Sequence, residues 1–272
     1  MENWKKFEVE SENFLRKILE KESYSVLRKG GNNSNDPDIE IIKNGKLISK
    51  IEVKLSPSQS GQIVVFQELG KFRPSNIPKV QNEFTINIIN ELNSNPSLSN
   101  LGIKPVIEIP LKSELIFHWI TSHYKTKGVT HLITSSKTLE RYFSIIDISE
   151  INDHFKPKAT LRIKRSGTRD IPKNSISKVK IIVSEYLKEI GIKESEYTIE
   201  KEGKKLHLKT RIETLGKIYI QSNYYLSKDK PGSYIIKIRA NTKNLNIIFG
   251  LEYKGEKGIG IENYINYLNN IK

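Results

Sequence analysis

The sequence predicts an α/β chain in which a mixed β-sheet core is flanked by helices and followed by a basic α+β region. Three observations carry this expectation. Leu47 to Leu55 alternates with period two, with Leu47, Ser49, Ile51, Val53 and Leu55 on one face and Ile48, Lys50, Glu52 and Lys54 on the other. Residues 4 to 22 instead place Phe7, Phe14, Leu15, Ile18 and Leu19 at helical spacing. Charge is divided unevenly: residues 1–155 hold 20 Lys+Arg against 19 Asp+Glu, whereas residues 156–272 hold 25 against 12. Net charges of +1 and +13 suggest that one part holds a polyanion and the other acts on it. A Lys-rich surface of the kind AT-rich genomes encode is the plainer account of the same numbers.

With 272 residues, 36% hydrophobic and 28% charged, the chain can bury a real core. It has no cysteine, which excludes disulfides and cysteine-based zinc sites and agrees with a reducing compartment. No apolar run reaches membrane-spanning length and the charged N-terminus lacks an apolar signal core, so the expected location is cytoplasmic, with no membrane partner.

Asn44-Gly45 is the strongest turn signal, folding a strand Asp38–Lys43 back on Leu47–Leu55. A strict two-residue loop pairs Lys43 with Lys46 and Asp38 with Ile51, which turns Asp38 away from Glu52. One extra residue, at the turn or beside Pro37, pairs Asp38 with Glu52 instead. Pro37-Asp38 followed by Glu52-Val53-Lys54 resembles the PD-(D/E)xK signature of nucleases that include many restriction endonucleases, with a restriction-endonuclease-like core implied. Outside the resemblance, a surface hairpin rich in Asp, Glu and Lys produces the same string.

The resemblance implies a Mg²⁺-dependent DNA endonuclease, with Mn²⁺ as a substitute and double-stranded DNA as partner. Asp38 and Glu52 would supply hard oxygen ligands, the Val53 carbonyl a third, and Lys54 would orient the attacking water. A helix glutamate often joins such a site, which points to Glu12 ahead of Glu8, and Gln62 would reach Lys54 or a phosphate. The length of the second half favours a type II restriction enzyme of a restriction-modification system. The alternatives are a structure-selective repair or junction nuclease and a non-catalytic DNA-binding protein. Two-fold DNA sites favour a homodimer.

Taken in order, a short strand is expected at Ser25–Arg28 and a polar turn at Gly30–Asn35. After a turn at Ser56–Gln62, Ile63 to Gln67 is expected as helix, because the nuclease core needs one there. Residues 72–110, with five prolines, read as an insertion containing a helix from Lys79 to Leu92. A helix Glu114–Tyr124 and a strand Thr130–Ser135 complete the region 1–155. In the basic region 156–272, the strand Lys158–Arg169 offers Arg162, Lys164, Arg165 and Arg169 to DNA phosphates. A helix Ser175–Ile190, five strands between Tyr197 and Tyr253, and a helix Ile261–Ile271 follow. His118, His123 and His131 lack ligand spacing and read as packing or surface residues.

Overall fold

The computed structural model describes residues 3–20, 23–29, 36–75, 81–98, 106–136, 142–211, 218–220, 224–255 and 258–271, with the side chains of 136, 164–167, 218, 219 and 240–244 outside that description. The expected turn at Gly30–Asn35 and helix start at Lys79 lie outside it. Two compact units emerge, Met1–Ile163 with Leu245–Lys272, and Lys164–Asn244.

In the first unit, α1 (Asn3–Ile18) precedes β1 (Tyr24–Arg28), β2 (Ile39–Lys43) and β3 (Lys46–Ser56). Later come β7 (His131–Ser136) and β8 (Ser144–Asp147), giving a sheet of order β1-β2-β3-β7-β8. β3 and β7 run parallel and the other pairs antiparallel, so the sheet is mixed. Its Ile39, Ile41, Ile51, Val53 and Ile133 face pack against Phe7 and Leu15 of α1 and against Tyr264 and Leu268 of α6 (Ile261–Asn270). Phe7 and Phe14 also stack on Phe143, at 5.6 and 4.5 Å.

A second sheet departs from expectation. Ile63–Gln67 is not helical but belongs to β4 (Ser58–Glu68), which follows a cis Ser56–Pro57 bond. Four consecutive β-branched or aromatic residues favour a pleated surface, and that local preference prevailed over the helix that the resemblance required. β4 pairs with β5 (Lys71–Pro74) and with the 245–251 part of β14 (Ser233–Tyr253), and β9 (Phe155–Asp170) pairs with both β14 and β6 (Val106–Glu108). α2 (Thr85–Asn93) and α3 (Ser113–Thr126) pack on this sheet. The stretch 72–110 is not peripheral: it gives Phe72, Ile88, Ile89, Leu92, Leu98 and Ile109 to the same buried cluster as Trp119 and Phe249.

In the second unit, β10 (Tyr197–Glu202), β11 (Lys205–Thr210), the 233–238 part of β14, β13 (Tyr224–Lys230) and β12 (Ile218–Ile220) form an antiparallel sheet. α5 (Ile176–Glu189) covers it through Val179, Val183 and Leu187, which meet Leu206, Leu208 and Ile236. Residues 164–244 hold 19 Lys+Arg against 9 Asp+Glu, so this unit carries +10 of the chain's +14. Tyr225 and Tyr234 are buried, which assigns them to packing.

Gly61 shows how tightly β4 and α3 meet, because a Cβ there would overlap the Trp119 ring. Gly61→Ala is expected to cost about 1–3 kcal/mol, read as a lower urea midpoint. An unchanged midpoint would mean that the ring has room to move.

Candidate active site

The site begins with the hairpin. Asn44 and Gly45 both have positive φ, 51° and 77°, giving the tight turn that their sequence calls for. Lys43 pairs with Lys46 and Ile42 with Leu47, but Ile41 then pairs with Ser49, so Ile48 is an extra residue on β3. The irregularity lies in the arms of the hairpin rather than at the turn or beside Pro37. It swaps the exposure of two neighbours: Leu47 is 43% exposed, while Ile48 packs against the core. Beyond it Ile39 pairs with Ile51, so Asp38 follows opposite Glu52. The Asp38 N–H donates to the Ile51 carbonyl at 3.1 Å, and the Val53 N–H donates to Asp38 Oδ2 at 2.7 Å.

Lys54 joins the two carboxylates. Its Nζ lies 2.8 Å from Glu52 Oε1 and 3.7 Å from Asp38 Oδ2. The other oxygen of Glu52 is 2.7 Å from Lys127 Nζ, at the C-terminal end of α3. Burial alone would raise the Glu52 carboxyl, yet Lys54 and Lys127 hold it below its ordinary value. Burial raises Asp38, assisted by Glu52 and only partly opposed by Lys54. Burial would also lower the Lys54 ammonium, but Glu52, Tyr124 and Asp38 keep it well above the usual lysine range. One carboxylate is thus firmly ionised and the other strained toward protonation.

α3 supplies the far wall. His123 stacks on Trp119 at 5.1 Å, and burial, then Lys127, lower its pKa. The Tyr124 hydroxyl is buried beside Ser60 of β4, and its electrostatic surroundings include Lys54 and Glu52. Lys127 and Tyr124 were not among the candidates read from the sequence. Lys127 lies 75 residues from Glu52, and no local spacing links them.

The remaining candidates divide. Glu12 is committed elsewhere, with Oε1 2.8 Å from Arg16 and Oε2 3.2 Å from Arg28. One turn earlier, Glu8 is the α1 carboxylate that senses the site: its pKa is raised by burial and then by Asp38. Gln62 sits on strand β4 rather than in a helix and accepts a hydrogen bond from Gln59 at 3.3 Å. Arg162 is exposed on β9 and lines a shallow recess of about 290 Å³ with Lys158, Thr160, Gln59 and Pro57, the last only three residues after Lys54. Arg169 is exposed, while the side chains of Lys164 and Arg165 lie outside the described residues. His131 is buried between Tyr264 and Tyr267, and that burial pushes its pKa down to about 4 against the pull of Asp147. Among the described residues no three His, Cys, Asp or Glu side chains form a metal-binding group, and no helix is long and apolar enough to cross a membrane.

No family model matches the chain, and no curated protein does. A solved structure does. The chain is similar to HhaI endonuclease. That protein was solved in complex with DNA, and it matches at 28% identity and a TM-score of 0.66. The match covers 98% of this chain and 100% of HhaI endonuclease, so both units take part in it. The fold is accordingly restriction-endonuclease-like, a mixed α/β architecture of sheets flanked by helices.

The two carboxylates are expected to affect stability in opposite directions. Asp38 is raised above 3.8, so its stabilising contribution exists at low pH and is lost as pH rises through its folded pKa. Asp38→Asn should therefore raise the urea midpoint at pH 7 in EDTA, and the gain should fade on acidification. Glu52 is lowered below 4.5, so its contribution is present at neutral pH and lost as pH falls through the depressed value. Glu52→Gln should cost about 3–5 kcal/mol at pH 7, because it leaves two buried ammonium groups short of a partner. Shifts of the same sign would refute this account of the pair.

Proposed function

We propose that the chain is a Mg²⁺-dependent endonuclease that hydrolyses phosphodiester bonds of double-stranded DNA, of the type II restriction class. The observation that carries the reading is the convergence of Asp38, Glu52 and Lys54 at the end of β3, in a chain similar over its whole length to a DNA-bound endonuclease. The donor set suits Mg²⁺, which takes one or two carboxylates and keeps several waters. Asp38 and Glu52, brought together at Lys54, are such a pair, with Asp38 raised by its burial and then by Glu52. Asp38 and Glu52 would hold the ion, and Mn²⁺ would substitute for it. The Val53 N–H points to Asp38, and since N–H and C=O of one strand residue share an edge, its carbonyl is available as a third donor. When bound, the ion would polarise the phosphoryl oxygen and acidify a water.

The residues of the chain supply the rest. Lys54, held between the carboxylates, orients the attacking water and offsets charge on the phosphate. Glu12 has no part, because Arg16 and Arg28 occupy both of its oxygens, and Glu8 is the α1 carboxylate better placed to influence the ion. Gln62 stays outside the assignment. DNA is held through phosphate contacts from the exposed Arg162 and Arg169 and from the +10 unit.

Plasmid digestion with and without Mg²⁺ tests the reading. Discrete bands that need Mg²⁺ are expected, and they should vanish in Asp38→Ala, Glu52→Ala and Lys54→Ala while DNA retardation persists. Cutting confined to branched DNA would point to a repair nuclease, and retardation without cutting to a binding protein. Wild-type turnover by any one variant would move the active site elsewhere.

A second test concerns the basic strand. Neutralising Arg162, Lys164 and Arg165 together should weaken DNA binding and flatten the log–log salt dependence by about one unit per lost phosphate contact. Unchanged affinity and slope would make the strand structural.

A further inference from the structure

Glu52 has both oxygens occupied by lysines that come from different elements. Lys54 Nζ is 2.8 Å from Oε1 and Lys127 Nζ is 2.7 Å from Oε2, with the Lys127 side chain only 9% exposed. A Glu-x-Lys pattern accounts for the first lysine but not the second. The backbone of Lys127 is fixed independently of its ammonium: its N–H bonds the Tyr124 carbonyl at 3.1 Å, and its own carbonyl accepts from Lys50 Nζ at 3.3 Å. Gly128, at φ +71°, then turns the chain out of α3. The ammonium is therefore delivered to Glu52 by a rigid corner rather than by a roving surface chain.

Four side chains meet here, and their formal charges balance. Asp38 and Glu52 contribute two negative charges, and Lys54 and Lys127 two positive ones. Nearby, Glu8 of α1 is half-buried and Arg28 is engaged with Glu12. A divalent cation approaching a buried group with no net charge gains little, and at either oxygen of Glu52 it meets an ammonium. A DNA phosphate entering the same space supplies the missing negative charge.

We propose that Lys127 is a positioning residue that couples metal binding to DNA binding, serving as the counter-charge a divalent ion must overcome at Glu52 until a phosphate arrives. The proposal rests on the nuclease reading and deepens it. Coupling of this kind is reciprocal, so metal should tighten DNA binding by the factor by which DNA tightens metal binding.

The test is Mn²⁺ binding, followed by electron paramagnetic resonance on the full chain. It is run with and without a short non-specific duplex, and the duplex alone is the control. Wild type should bind Mn²⁺ weakly alone and more tightly with the duplex. Lys127→Met should bind Mn²⁺ about tenfold or more tightly without DNA, since one buried positive charge is gone, and should gain less from the duplex. Lys127→Arg, which keeps the charge, should couple as wild type does. Lys127→Gln serves as the neutral variant if thermal unfolding shows Lys127→Met to be misfolded. Mn²⁺ binding that needs Glu52, as judged by Glu52→Gln, but is no tighter in the neutral variants overturns the role of Lys127 alone. Mn²⁺ binding indifferent to Glu52→Gln overturns both this proposal and the nuclease reading.

Discussion

Register is the constraint on which the site depends. Side chains of a strand alternate sides with a period of two, so a shift of one residue sends an entire set to the opposite face. In an unbroken β2–β3 hairpin closed by Asn44-Gly45, Asp38 would share a face with the buried Ile51 and point away from Glu52. The extra residue Ile48 corrects this after only two pairs. Everything beyond it along the two strands then follows: Ile39, Ile41, Ile51 and Val53 reach α1 and α6, while Asp38, Glu52 and Lys54 collect on the side toward α3. One bulged residue thus separates the hydrophobic face from the chemical one.

Burial then sets the tone of that chemical face. Four ionisable groups in partial exclusion from water each have an opposite charge within reach. Glu52 takes most of the compensation and stays ionised, and Asp38, with less, is pushed toward its neutral form. The buried Tyr124 hydroxyl, with Ser60 beside it, belongs to the same surroundings.

Much of this was legible in the chain. The 3.6-residue stripe of α1, the alternation of β3, the Asn-Gly turn and the spacing from Asp38 to Lys54 are local patterns, and local patterns survive folding. β4 was misread for the opposite reason, since a family expectation was set above the β-branched run Ile63-Val64-Val65 that contradicted it. Glu8 and Glu12 are one helical turn apart, and no periodicity chooses between them. The choice came from Arg28, a residue of β1 that claims Glu12. Lys127 was invisible because the corner at the end of α3 reaches Glu52 only through the parallel pairing of β3 with β7. The proline-rich stretch 72–110 looked peripheral by composition, but its apolar residues fill a core.

The first unit is discontinuous in the chain, and that has a consequence for its synthesis. β4 waits for residues 245–251 to be made before it gains its neighbour β14. Ser56 Oγ waits for the Tyr253 N–H, the Ile145 N–H for the Ile259 carbonyl, and Ser49 for the Tyr264 hydroxyl. Ribosomes extend a chain from its N-terminus at about 5–20 residues per second, so Asp38, Glu52 and Lys54 exist for many seconds before the frame around them can close. The order of translation itself therefore withholds the finished site until nearly the last helix has emerged, and a polypeptide interrupted midway carries the motif without the architecture to use it.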